Sequence, residues 1–497
     1  MNPIKDVVIV GSGTAGLIAA LYLKFYFPQF NVKIVKSSKI NIIGVGESTT
    51  EHWGNFIQDV NIDPIELINE SNATIKIGVL FKNWTYPGSK YVHSVSNVNS
   101  PILSRQSTVE LYNRLVLNNF SNNPFVLSYP FNEIYYKNKV VVSSNLTPTN
   151  QFHFDTFKLN SYLQKICLKR NIKIEEHFIK NINQNEKGKI VSLTNSNNNI
   201  IKGDFFIDCS GFKRVLSSKL SLKTISYKDF LPVNEAITFA TPLNQKNGIE
   251  PYTSATSLSS GWAWKIPTQT QYGNGYVFDN RYINCDNALN EFNQHLGTNI
   301  ENVAKNIKFE AYKLEKFWHK NCVSIGLSSS FSEPLEAQSI GFSIIQSSLL
   351  VESLNSWMYD SLNTTNRYNK EINNCFDNII DYVQLHYFTK KNNSKFWKEK
   401  PFKITEFNKN TFEKFSIGIF SPQDFSSNNL MFTILNFYQI YFGLNLLNTS
   451  KIKLLQSLNK EWGKKWDDIY HNSLNKENYH SISHVDYIKL LKENYSS

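Results

Sequence analysis

Asp6–Val10 (DVVIV) is an apolar run, GSGTAG follows at once as Gly11–Gly16, and Leu17–Tyr26 reads as a helix that closes near Pro28. No other feature limits the fold as much. In Gly11-x-Gly13-x-x-Gly16 the first glycine permits a tight turn and the second lets the backbone approach a pyrophosphate. The third lets helix and strand pack closely. The helix start then offers N–H donors to phosphate. With a second strand at Val32–Val35, this order predicts a doubly wound α/β module that binds a dinucleotide through Gly11, Gly13, Thr14, Ala15 and Gly16.

The second strand usually ends in an acid that binds ribose hydroxyls. Here that position is Lys36, followed by Ser37 and Ser38. Ribose contacts are therefore left to a serine, the backbone or water, and a 2′-phosphate ligand stays open at this point. The next segment, Ile42–Thr49 (IIGVGEST), argues for a flavin. Its two glycines, one residue apart, let the chain pass flat against a planar ligand, with Val45, Gly46, Glu47 and Ser48 as the expected contacts. Two further strand ends carry glycine: FFIDCSGF (Phe205–Phe212), with Asp208 and Gly211, and NCVSIGLSSSFSEPLE (Asn321–Glu336), which opens at Gly326. Such ends converging on one sheet edge are where doubly wound folds hold ligands.

At 497 residues the chain exceeds a single core. A FAD-binding module is expected over 1–345, with β-rich insertions near 85–150 and 220–310, then a mainly helical region over 346–497. The net charge of +11 comes from 52 basic and 41 acidic residues, but the basic residues are scattered, which argues against nucleic acid. Five cysteines without CxxC spacing argue for a reducing, cytoplasmic setting and against a zinc site. Leu430–Leu447 is uncharged, yet Asn436, Gln439, Gly443 and Asn445 interrupt it, so a buried helix is expected there and no membrane span.

TIKIGVLF (Thr74–Phe81) alternates like one half-buried strand, with Lys76 on the face opposite Ile75 and Ile77. GWAWKIP (Gly261–Pro267) places Trp262 and Trp264 two apart, on one face of a strand. By themselves, a solvated lysine and a core aromatic pair would explain both. Yet GSGTAG, GVGEST, TIKIGVLFKNW, FIDCSGF, GWAWKIP and FSEPLEAQSIG, in that order and continuing to about Trp397, resemble the flavin-dependent tryptophan halogenases.

That resemblance implies a Rossmann-like, GR2-type FAD module with a β-sheet insertion and a C-terminal helical part covering the substrate. It also implies FAD, used as FADH2, and a halide ion (chloride, bromide or iodide). Reduced FAD and O2 would convert the halide to hypohalous acid, which travels to a lysine beside a small aromatic substrate. The aligned lysine is Lys76 and the aligned glutamate Glu336. Trp262 and Trp264 would lie near the flavin, with Leu327 and Ile340 as further cofactor contacts. The halide donors would be Gln338 and Ser339, because the family string PLESTG reads PLEAQS here; with Ser in place of Gly, the halide site is expected to be looser.

The substrate region diverges further. His93 aligns with a stacking histidine, but the phenylalanine two residues on is Val95. Ile419–Phe432 (IFSPQDFSSNNLMF) lacks the Tyr-Tyr pair that holds the amino-acid end of tryptophan and has Asp424 as its one acid. An indole or phenol is therefore expected in place of free tryptophan, in a pocket lined by Phe432, Phe437 and Tyr438. A separate flavin reductase is the expected partner, with homo-oligomerisation possible. The competing readings are a flavin monooxygenase or oxidoreductase of the same fold and a non-catalytic flavin-binding protein.

Overall fold

A computed structural model describes residues 4–40, 44, 47–94, 137–142, 151–301, 305–427, 429–456 and 480–496. Val45, Gly46 and Val95 lie outside the described residues. The chain divides into two compact units, each assembled from three separate stretches: 1–73, 154–227 and 310–376 in the first; 74–153, 228–309 and 377–497 in the second. The second unit thus takes in 85–150 and 228–309 of the stretches expected as β-rich insertions, while residues 220–227 and 346–376 fall within the first.

The first unit is built on a six-stranded sheet among the described residues. Asp6–Val10 is central, in parallel with Asn31–Lys36 on one side and Phe205–Asp208 on the other. Lys173–Glu176 continues the sheet beyond Asn31–Lys36, and Cys322–Ser324 beyond Phe205–Asp208, both in parallel. Trp318–His319 closes one edge antiparallel. Val7, Val8, Ile9 and Val10 are all buried, as expected of a parallel strand covered on both faces. The helix Thr14–Tyr26 follows the glycine turn and buries an unbroken run from Leu17 to Leu23. Each leucine or isoleucine of that run removed from water contributes about 1.5–3 kcal/mol. The helix Thr156–Lys169 is started by Asp155, whose carboxylate accepts the amides of Phe157 and Lys158.

The second unit carries a seven-stranded sheet in the order Lys305–Lys308, Glu235–Pro242, Gln271–Phe278, Gly261–Pro267, Thr253–Leu258, Gly78–Lys82, Lys90–Ser94. All pairs are antiparallel except Thr253–Leu258 with Gly78–Lys82. TIKIGVLF is therefore not one strand. Thr74–Ile75 pairs antiparallel with Phe152 and His153, and Gly78–Lys82 joins the large sheet. The chain must turn between partners at Lys76–Ile77, so the period-two expectation fails there. Thr74, Ile75, Lys76 and Ile77 are all buried. The uncharged C-terminal stretch holds a helix, Ile434–Gly443, with Ile434, Phe437, Tyr438, Ile440 and Tyr441 buried. Among the described residues no helix is long and apolar enough to cross a membrane.

Asp208 shows how a strand end is turned into a rigid corner. Its buried carboxylate accepts the Ser210 amide and hydroxyl at 3.1 and 2.5 Å and the Leu216 and Ser217 amides at 2.8 Å each. All four donors point inward, so this acid organises the protein and is not a ligand contact. Asp208→Ala strands those donors, and we expect it to lower unfolding free energy by about 3 kcal/mol or more in denaturant titrations.

Candidate active site

In the first unit the glycine turn has the shape its sequence requires. Gly11 has φ +117°, and a Cβ there would lie 2.1 Å from the Cys209 carbonyl oxygen. A Cβ on Gly16 would sit 2.1 Å from the Gly11 carbonyl oxygen, so helix and turn touch. Asn160 fixes the turn further by donating to the Ser12 carbonyl at 2.8 Å. Gly13 is different: among the described residues nothing lies within 4 Å of the Cβ position, and as N-cap it supplies no side-chain acceptor to the first-turn amides of Thr14–Tyr26. Open space before bare helix-start N–H groups fits a dinucleotide pyrophosphate. Gly326, at φ +71°, brings the Gly326–Ser328 turn against Ala15, and Leu327 sits in that turn with its carbonyl accepting the Tyr312 hydroxyl.

Glu47 and Ser48 form a short strand, and desolvation pushes the Glu47 carboxyl up to about 7. Farther along, Glu336 and Glu333 are both buried. Ala337 then takes a left-handed conformation, φ 56° and ψ 31°, as N-cap of the 22-residue helix Gln338–Tyr359. That cap provides no side-chain acceptor either. Gln338 folds back to donate to Ser332 Oγ and the Glu333 carbonyl, each at 2.6 Å. Its Oε1 is buried without a partner. Ser339 is absent from the positive-φ residues, so replacing the family's glycine there imposes no backbone strain. Ile340 lies in the first turn of the same helix, buried.

In the second unit, the backbone around Lys76 is fully engaged. The Ile75 amide donates to His484 Nε2 at 3.0 Å, the Lys76 amide to the Gln151 carbonyl at 3.0 Å and the Ile77 amide to the Pro251 carbonyl at 2.8 Å. The Thr74 hydroxyl donates to the Pro267 carbonyl at 2.7 Å, so it accepts from His153 Nδ1, 3.1 Å away. His153 Nε2 faces the Thr253 hydroxyl at 3.0 Å. Burial, then the nearby Lys76 and His484, holds His153 well below the usual histidine range, and burial lowers His484 to about 4. Both imidazoles are uncharged at neutral pH. Lys76 itself is 2% exposed.

Trp262 and Trp264 share a face of their strand with ring centroids 5.9 Å apart. Trp264 lies across from Gly275, where a Cβ would come within 2.1 Å of the indole ring. Its indole N–H is buried without a partner.

His93 is held at both nitrogens. Asn436 Oδ1 accepts from the Thr433 amide and hydroxyl, which turns its Nδ2 toward His93 Nε2 at 2.9 Å. Nδ1 therefore carries the proton and faces the Tyr382 hydroxyl at 3.2 Å. Phe432 stacks on Tyr382 at 3.9 Å and is clamped by Asn378 through both its amide and its carbonyl. Phe437 and Tyr438 sit deeper, fully buried among Phe407, Phe415 and Phe425. Asp424 is also occupied, accepting the Ser421 amide at 2.8 Å and pairing with Lys414 at 2.5 Å.

The sequence reading missed His153, His484, Thr253, Tyr382 and Asn378. Asn436 left a trace, as a polar interruption of an apolar stretch; an isolated histidine leaves none.

Two substitutions test these placements. A group protonated more readily in the folded than in the unfolded state loses stability as pH rises from the ordinary carboxyl range to about 7. Glu47→Gln should therefore exceed the native chain in stability by about 1–3 kcal/mol at pH 8, with the gain vanishing near pH 4. A pH-independent difference in denaturant midpoints would contradict the desolvated carboxyl. Gly275→Ala should push the Trp264 indole off its site, lowering stability by about 1–3 kcal/mol and shifting tryptophan emission.

Comparison with known proteins gives a consistent picture. The tryptophan halogenase family model matches residues 6–460. The tryptophan 6-halogenase ThaL of Streptomyces albogriseolus is 30% identical over 449 residues, 84% of this chain and 83% of that one. The tryptophan 7-halogenase RebH of Lentzea aerocolonigenes is 30% identical over 422 residues, 80% and 78% of the two chains. The crystal structure of the tryptophan 6-halogenase SttH from Streptomyces toxytricini superposes with a TM-score of 0.85 at 25% identity, covering 98% of this chain and 99% of that one. With the glycine turn and the two-unit α/β framework, these matches place the chain in the tryptophan halogenase family of flavin-dependent enzymes.

Proposed function

We propose that this chain halogenates an electron-rich arene, an indole or a phenol, in preference to free tryptophan, with Lys76 and Glu336 as its catalytic side chains. The family uses FADH2 and a halide ion. When bound, reduced FAD with O2 supplies the oxidising equivalents that turn halide into hypohalous acid, with water as the other product. The amides of Thr14–Gly16 hold the pyrophosphate, and those of Gln338 and Ser339 at the start of a long helix hold the halide. Lys76 Nζ either hydrogen-bonds the hypohalous acid or takes its halogen with loss of water, and the halogen then passes to the ring. Glu336 stabilises the cationic ring and accepts the proton it loses. A separate reductase delivers FADH2.

The observation that carries this reading is the burial of Lys76 at a break between two strands, flanked by two uncharged histidines. Lysine is rarely this deeply buried, and desolvated ionisable groups cluster at functional sites. For the substrate, support comes from Asp424: its carboxylate is spent on Ser421 and Lys414, which leaves it unsuited to hold an amino-acid ammonium group.

Supplied with a flavin reductase and bromide, the enzyme should brominate indole faster than L-tryptophan, read by product mass. Glu336→Gln should lower turnover about a hundredfold or more with FADH2 consumption unchanged. Faster turnover of L-tryptophan would contradict the substrate class, and an oxygenated product independent of halide would contradict the reaction.

A further inference from the structure

The lysine that ends the Asn31–Lys36 strand leaves a question about the ribose, because a doubly wound fold usually places an acid there. The neighbouring strand answers it. Lys173–Glu176 runs parallel to Asn31–Lys36 with Glu176 opposite Lys36, and the His177 amide locks the two ends by donating to the Lys36 carbonyl at 2.8 Å. Two consecutive glutamates finish that strand, on opposite faces. Glu175 is occupied by Lys33 and His177, each at 3.2 Å. Glu176 is exposed and reaches across instead: its Oε1 accepts the Ser38 amide at 2.5 Å. The Ser38 amide and hydroxyl, and more weakly Lys36, hold its carboxyl below the usual range, so it is ionised at neutral pH.

We propose that Glu176 supplies the carboxylate for the adenosine ribose of FAD, moved from the end of one strand to the end of the next. The Ser38 amide fixes one oxygen beside the end of the Asn31–Lys36 strand, and the other accepts from the 2′- and 3′-hydroxyls. An anion in this place repels a 2′-phosphate, so the same residue selects an unphosphorylated ribose and settles the ambiguity that Lys36 creates in the sequence. Ser38 becomes a positioning residue, acting through Glu176.

The test reads cofactor affinity on the full-length chain and does not depend on the halogenation chemistry. Oxidised FAD and FMN, which lacks the adenosine, are titrated into the native chain, Glu176→Gln, Glu175→Gln and the double variant Lys36→Glu/Glu176→Gln, with circular dichroism confirming the fold of each. Glu176→Gln should weaken FAD about tenfold while leaving FMN unchanged. Glu175→Gln should leave both cofactors within about twofold. Restoring an acid at position 36 in the double variant should recover most of the FAD affinity. Native-like FAD binding by Glu176→Gln, or an equal loss for FMN, would overturn the assignment. A native chain that binds FAD yet fails to halogenate any arene would overturn the proposed function and leave this inference standing.

Discussion

Residues Thr74–Ile77 are held by acceptors from four separate places in the second unit: the Pro267, Gln151 and Pro251 carbonyls and the imidazole of His484. Burying this segment costs least when its backbone N–H groups find protein partners in place of water. Here each backbone N–H from Ile75 to Ile77 has its partner, so none of them is stranded away from water beside the buried Lys76. The flanking histidines strengthen this. An imidazole that remained charged beside Lys76 would raise the cost of a second cation, whereas two desolvated, hydrogen-bonded rings add rigidity without charge. Ordered acceptors, satisfied donors and uncharged neighbours together make a desolvated amine tolerable.

The first unit solves a different problem with the same economy. The fold offers backbone N–H groups suited to anions at two helix starts, Thr14–Tyr26 and Gln338–Tyr359, neither of which has a side-chain acceptor at its N-cap. Glycine makes the first possible by close contact at Gly11 and Gly16 and by open space at Gly13. The second start is reached through Ala337 in a left-handed conformation, a strain of about 1 kcal/mol that local structure must hold in place. Asp208, which could have been taken for a ligand contact, is instead the acceptor that keeps the neighbouring corner rigid.

What the sequence revealed follows from the range of each interaction. The glycine turn and the strand and helix around it depend on neighbours within a few residues, and they were legible. So was the pairing of Trp262 with Trp264 on one face, since alternation is local. The single alternating strand expected over Thr74–Phe81 fails because its two halves pair with different strands, a fact no local period contains. His484 meets Ile75 across 409 positions, and Glu176 meets Ser38 across 138. Contacts of that span are written in the topology, and a lone histidine or glutamate carries no local mark of them. Phe432, Phe437 and Tyr438 are legible as aromatic candidates for a substrate pocket; that Phe432 stacks on Tyr382, with Asn378 holding its backbone and Asn436 holding His93, only the folded chain brings together.

The account rests on Lys76 as the group that delivers the halogen. The most direct measurement follows a single charge of FADH2, O2 and bromide in the presence of indole and a soluble hypobromite trap, comparing the native chain with Lys76→Ala. The account predicts that the native enzyme directs bromine to indole, while the variant consumes FADH2 equally and releases the halogen to the trap, with brominated indole falling about a hundredfold or more. Brominated indole at native yield from Lys76→Ala would contradict it.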